Sequence, residues 1–146
     1  MGTKLDVAFK FGAGRYIQEP DALKLAGGEI GRFGHHALVI GGPTALDIAG
    51  EPLRRSLCDA CVTHEFVVYP GYNTREAANH YAAYCKKNSF DVVVGVGGGK
   101  IMDLAKSIAH MAELPVVNIP TQAATCAAYT PMSVMYTEEG AAYGTV

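Results

Sequence analysis

The chain has 146 residues, 49% hydrophobic and 18% charged, a composition that builds a core and excludes a disordered segment. Twelve basic residues against 14 acidic ones leave a net charge of −2, so there is no polybasic field for nucleic acid. No apolar run reaches membrane-span length and the N-terminus lacks a signal-peptide apolar region, so one soluble cytoplasmic domain, 1–146, is expected.

In chain order the pattern alternates strand and helix. A short β segment, Val7–Tyr16, precedes a helix over Asp21–Ile30 that Pro20-Asp21 starts and Gly31-Arg32-Phe33-Gly34 ends. Ala37–Ile40 reads as a buried strand running into Gly41-Gly42-Pro43-Thr44. Ala45–Cys61 reads as a helix in which Gly50 and Pro52 are candidate interruptions. His64–Tyr69 is the next strand, Pro70-Gly71-Tyr72-Asn73 a turn, and Thr74 the cap of a helix whose inner face carries Ala77, Ala78, Tyr81, Ala82 and Cys85. Asp91–Val96 and Val116–Ile119 are further strands. Met132–Thr137, Glu138-Glu139-Gly140 and Ala141–Val146 read as a hairpin. The expected fold is α/β: a doubly wound, mostly parallel sheet ending in a β-hairpin.

The richest stretch runs from Val92 to Ala109. A β-branched run ends in Gly97-Gly98-Gly99-Lys100, and Ile101, Leu104, Ala105, Ile108, Ala109 and Ala112 then recur at helical spacing. A strand thus delivers a bare turn to a helix N-terminus, where free N–H groups and the positive end of the helix dipole suit a phosphate. A tight turn of any α/β protein is the plainer alternative, but three consecutive glycines and a lysine favour phosphate. A Walker loop fails, because Val94 and Ile101 stand where it needs glycine and Ser or Thr; Lys100 stands where a dinucleotide fingerprint needs its third glycine.

Ligands of such sheets bind past the carboxyl ends of the strands. Three loops fall there: Gly41–Thr44, Gly97–Lys100 and Pro120–Thr130. In the last, Thr121, Thr125 and Thr130 offer hydroxyls to phosphate or ribose oxygens.

The cysteines point elsewhere. Cys58 and Cys61 form a C-x-x-C with His64 beyond it, a spacing shared by redox and zinc motifs. Leu53, Leu57 and Cys61 share a helical stripe, however, so Cys61 reads as a core residue. Cys85 and Cys126 lie in unrelated segments, and neither a disulfide framework nor a zinc site is expected.

Gly95-Val-Gly-Gly-Gly-Lys100, Asp103, Ala105-Lys106 and Leu114-Pro-Val-Val-Asn-Ile-Pro-Thr121 together resemble the iron-containing alcohol dehydrogenases. Met132-Ser-Val-Met-Tyr-Thr-Glu-Glu-Gly140 is most similar to their glycerol dehydrogenase branch. The resemblance implies a Rossmann-like N-terminal domain that binds NAD or NADP, with cofactor contacts among Gly41, Gly42, Gly97, Gly98, Gly99, Lys100, Asp103, Thr121, Thr125, Ser133 and Tyr136. It also implies a divalent metal, zinc or iron, held by a C-terminal helical domain that this sequence does not match. No metal ligand or catalytic residue is therefore expected among His35, His36, His64, His80 and His110 or elsewhere here. Implied partners are the dinucleotide and, in the full enzyme, a small alcohol, polyol or hydroxy acid; a homo-oligomer stays open. Alone, the chain is expected to bind nucleotide without turnover, since the metal stabilises the alkoxide that loses hydride.

Two departures bear on specificity. Gly42 stands where the family often has an Asp that accepts from the adenosine ribose, which removes a repulsion against a 2′-phosphate and admits NADP. Cys126 stands where the glycerol dehydrogenase branch has an Asp facing the polyol, and a thiol is a weak acceptor for a diol. Cys126 is thus expected to line the substrate pocket, and a branch acting on 2-hydroxy or 2-oxo acids becomes a competitor. A truncated, non-catalytic nucleotide-binding module and a dehydroquinate synthase-like lyase are the other classes; Lys100 and the hairpin count against the lyase.

Overall fold

A computed structural model describes residues 12–146. The expected strand at Val7–Tyr16 falls mostly outside these residues, and its described end, 12–16, forms no strand. Six strands and four helices follow: α1 (Leu23–Gly31), β1 (His36–Gly41), α2 (Pro43–Asp59), β2 (Thr63–Val68), α3 (Arg75–Lys87), β3 (Val92–Gly97), α4 (Gly99–Ala112), β4 (Val116–Pro120), β5 (Val134–Tyr136) and β6 (Ala142–Thr145).

The first four strands form one parallel sheet in the order β2-β1-β3-β4. Period-two alternation divides its side chains between two layers. Ala37, Val39, Val92, Val94 and Val96 pack with Ile30 of α1 and Ala49, Leu53 and Leu57 of α2. Leu38, Ile40 and Val93 pack with Ala78, Ala82 and Cys85 of α3 and Leu104, Ala105 and Ile108 of α4. Leu53 and Leu57 are fully buried, each contributing about 1.5–3 kcal/mol. Burial on both faces explains why β1 and β3 read as unbroken apolar runs.

Local chemistry sets the helix bounds. Thr74 Oγ1 accepts from the N–H of Ala77 at 3.1 Å, capping α3. Helix α2 runs unbroken through Gly50 and Pro52. Pro52 and Ile48, whose carbonyl loses its usual donor to the proline, are both exposed, so solvent can satisfy that acceptor while Leu53 and Leu57 anchor the buried face. The helix stops at Asp59 rather than Cys61. Val62 N–H donates to Leu57 O at 2.9 Å and Cys61 N–H to Cys58 O at 3.0 Å, a Schellman closure with Cys61 left-handed at φ 55°. That turn carries Cys61 off the apolar stripe, and its side chain is exposed, not in the core.

Helix α4 also departs from expectation. Its apolar face packs on the sheet as its spacing requires, yet Asp103, Lys106 and Ser107 on its polar face are buried too. The antiparallel hairpin β5–β6 and the segment before it cover that face.

Candidate functional site

The strand order reverses between β1 and β3, since β2 lies beyond β1 and β4 beyond β3. Their carboxyl ends open a crevice there, the ligand position of doubly wound sheets. Gly42 N–H donates to Val96 O at 3.3 Å, which ties the two glycine turns together. Helix α2 leaves the first turn with Gly42 at its N-cap and Pro43 next, and α4 leaves the second with Gly98 at its N-cap. Neither N-cap makes a side-chain hydrogen bond, so both helices point uncapped N-termini toward this edge.

The glycines divide the work. Gly97 has φ +154°, a backbone that L side chains rarely adopt, and a Cβ there would press on Ile101 at 3.2 Å. A Cβ on Gly95 would lie 2.7 Å from that of Ala105, so this glycine sets how closely α4 approaches the sheet. Gly98 differs: its φ is −90° and a Cβ would meet only the tip of the Gln122 side chain, at 2.6 Å from Oε1. The fold therefore does not demand glycine at 98, where only a flexible side-chain tip crowds an otherwise open surface.

Beside this turn lies a cleft of about 470 Å³. Gly99, Lys100, Asp103, Thr125, Cys126 and Tyr136, all expected site residues, line it, as does Thr130. Thr125 Oγ1 accepts from Ala127 N–H at 3.1 Å and shapes the loop. Thr121 is exposed, and its N–H donates to Gly97 O at 3.0 Å, fixing the loop's start against the glycine turn. Lys100 is exposed, with Nζ 4.0 Å from the centroid of the Tyr72 ring, a cation–π contact at the cleft rim. Gly41 and Gly42 belong to the neighbouring turn, and Gly97 is buried beneath its own.

Ser133 is not at the cleft surface. It is 2% exposed, and its hydroxyl donates to Asp103 O at 2.7 Å. Asn73 Nδ2 donates to Ser107 Oγ at 3.0 Å, and the two serine hydroxyls lie 2.7 Å apart. This buried chain joins the start of α3, α4 and the hairpin. Asp103 reaches the cleft, but its carboxylate is engaged: Oδ1 lies 2.9 Å from Lys106 Nζ and Oδ2 accepts from Val134 N–H at 3.2 Å. Lys106 also donates to Thr130 O at 3.2 Å and to Met132 O. The pair therefore shapes the cleft wall and, among the described residues, leaves Lys100 as its uncompensated cation.

Gln122, Ala124, Ala127, Met132 and Val134 also line the cleft, and sequence reasoning did not single them out. Gln122 carried a signal, an amide two residues past Pro120 among hydroxyls. The apolar four carried none. The histidines stay scattered, and among the described residues no group of three His, Cys, Asp or Glu side chains could hold a metal. No helix among them is long and apolar enough to cross a membrane.

The family model for iron-containing alcohol dehydrogenases matches residues 13–146. Glycerol dehydrogenase of Pseudomonas putida is 33% identical over 127 residues, 87% of this chain and 35% of that protein. Hydroxycarboxylate dehydrogenase A of Escherichia coli strain K12 is 57% identical over a shorter 51-residue stretch, 35% of this chain and 14% of that protein. The crystal structure of a probable glycerol dehydrogenase from Sinorhizobium meliloti 1021 superposes with a TM-score of 0.83 at 27% identity, over 95% of this chain and 37% of that one. The chain thus spans about a third of the length of the glycerol dehydrogenases it matches. Parallel sheet, glycine turn, hairpin and matched sequence agree, and the chain belongs to the iron-containing alcohol dehydrogenase family.

Proposed function

We propose that this chain is the dinucleotide-binding part of an NAD(P)-linked dehydrogenase of small alcohols or polyols. The observation that supports it most is the Gly98 turn: an uncapped helix N-terminus beside a cleft, where glycine is dispensable to the fold. The Gly98, Gly99 and Lys100 main chain and the Lys100 ammonium would bind the pyrophosphate. Thr121 and Thr125 offer hydroxyls, and the Gly42 turn faces the ribose. When bound, NAD(P) supplies the hydride acceptor. Gln122, lying over Gly98, would hydrogen-bond to the ligand or yield to it. The divalent metal of the family finds no ligand set among the described residues, which assign no step to it.

Calorimetric titration tests this reading. NAD(P) binding is expected in the parent, with a clear loss in Gly98→Val, whose added bulk fills the approach while only the flexible Gln122 must move. Unchanged affinity in a folded variant refutes the assignment.

A second reading, of 2-hydroxy or 2-oxo acids as substrates, draws support from charge. Cys126 and alanines line the cleft near its loop, Asp103 is neutralised by Lys106, and Lys100 remains. Such a wall suits a carboxylate better than a neutral diol. The 57% identical stretch of hydroxycarboxylate dehydrogenase A points the same way. Fluorescence titration of the NAD(P)-loaded protein with glycerol and with a 2-hydroxy acid separates the two.

A further inference from the structure

We infer that Cys58 and Cys61 form a redox-active dithiol that closes to an intramolecular disulfide on exchange with a low-molecular-weight disulfide such as oxidised glutathione. Both side chains are exposed and both thiols are free. The two residues are also joined directly through the main chain, Cys61 N–H donating to Cys58 O at 3.0 Å. A turn hydrogen-bonded in this way keeps its end Cα atoms within about 7 Å, and a disulfide needs about 4.4–6.8 Å. The second bond of the closure, Val62 N–H to Leu57 O at 2.9 Å, holds the turn on an anchor that is fully buried at Leu57. The two Cα atoms are therefore held near bridging range before any reaction.

Position 61 adds an independent argument. It is the left-handed position of a Schellman closure, where glycine is the strain-free residue. Here a cysteine takes φ 55° instead. Neither a core contact nor a backbone requirement explains a cysteine there, and a paired thiol does.

The exchange balances. One cysteine thiolate attacks a sulfur of the small disulfide, forms a mixed disulfide and releases one small thiolate. The second cysteine thiolate then attacks the protein sulfur and releases the other. Two protein thiols lose two protons and two electrons, and one small disulfide becomes two thiols. The pair lies at the α2–β2 connection, which enters the amino end of β2, away from the cleft at the carboxyl ends. Nucleotide affinity is expected to be unchanged by closure.

Mass spectrometry after incubation of the folded protein with oxidised glutathione tests this. The tryptic peptide Ser56–Arg75 contains both cysteines and no other. It is expected to lose the mass of two hydrogens, to retain no glutathione, and to recover its mass with dithiothreitol. In Cys61→Ser, Cys58 has no partner and is expected to keep one glutathione. Exposed, solitary Cys126 serves in both proteins as the reference for an adduct that persists. A parent peptide that stays unmodified, or that carries glutathione as Cys126 does, overturns the inference.

Discussion

Lys106 Nζ and Asp103 Oδ1 meet at 2.9 Å with each side chain only 8% exposed, an ion pair one turn apart on α4 and sealed by the hairpin. Through it, the helix behind the glycine turn holds the far wall of the cleft, because Lys106 reaches Thr130 O and Asp103 reaches Val134 N–H. Lys106→Ala leaves the carboxylate buried without its cation, and a loss of about 3–5 kcal/mol is expected. The double variant Asp103→Asn/Lys106→Met keeps an acceptor for Val134 and fills the volume, so it should be less damaged than the single one. Urea unfolding of both checks this; a double variant as unstable as Lys106→Ala would mean the pair itself supplies the stability.

Gly42→Asp should be accepted by the fold and change cofactor preference. Gly42 is extended, and a Cβ there meets nothing closer than Ile101 Cγ1 at 3.9 Å. Aspartate is also a better N-cap for α2 than glycine, by a few tenths of a kcal/mol. Facing the ribose, the carboxylate would accept from a 2′-hydroxyl and repel a 2′-phosphate, moving preference toward NAD by about 1–3 kcal/mol. Fluorescence titration with NAD and NADP reads the ratio. An unmoved ratio would place this turn away from the ribose.

Relief of the backbone at Cys61 is a separate matter from its thiol. Cys61→Gly removes the left-handed penalty at φ 55° but adds chain entropy to the unfolded state. A net gain of about 0.5–1 kcal/mol is expected, visible as a raised Tm. Cys61→Ala keeps the Cβ and should show no such gain. Equal melting of the two variants would assign the effect to the thiol rather than the backbone.

Burial pushes the Cys85 thiol up from an ordinary 9.0 to about 11, with the Glu65 charge adding to the effect. The folded state thus holds the proton more tightly than the unfolded chain. Its contribution is complete below about pH 9 and is lost as pH rises toward about 11. Chemical denaturation between these values should show stability falling more steeply in the parent than in Cys85→Ala. Parallel slopes would show that the thiol does not titrate in this window.

The sheet was legible because its signals are local. Val92–Val96, the glycine turn and the helical spacing of Ile101, Leu104, Ala105 and Ile108 lie side by side in the sequence, as do Thr74 and the helix it caps. Lys100 was legible in the glycine turn and Thr125 in the hydroxyl-rich loop, while Cys126 and Tyr136 came from matched motifs. What stayed hidden depended on residues far apart. Ser133 looked like a free hydroxyl beside the cofactor until Asn73, Ser107 and Asp103 enclosed it. Cys61 followed the helical stripe on paper, and the main-chain closure that ends α2 at Asp59 turned it outward. Continuity of α2 past Pro52 was equally unreadable, since it depends on which face the proline occupies.

The hydrogen bond from Gly42 N–H to Val96 O has a mechanical consequence. The Gly42 and Gly98 turns share this bond and the ladder beneath it, where Gly41 pairs with Val96. Every residue lining the cleft, by contrast, falls between Gly99 and Tyr136. The first turn is a fixed datum on the sheet, while the loop and hairpin side of the cleft, Gln122–Tyr136, is one contiguous block of chain held to α4 through Lys106 and Asp103. In native-state hydrogen exchange that block should open as its own unit. The far wall of the cleft could then loosen while the two glycine turns stay fixed, which would let sequence drift retune that wall without disturbing them.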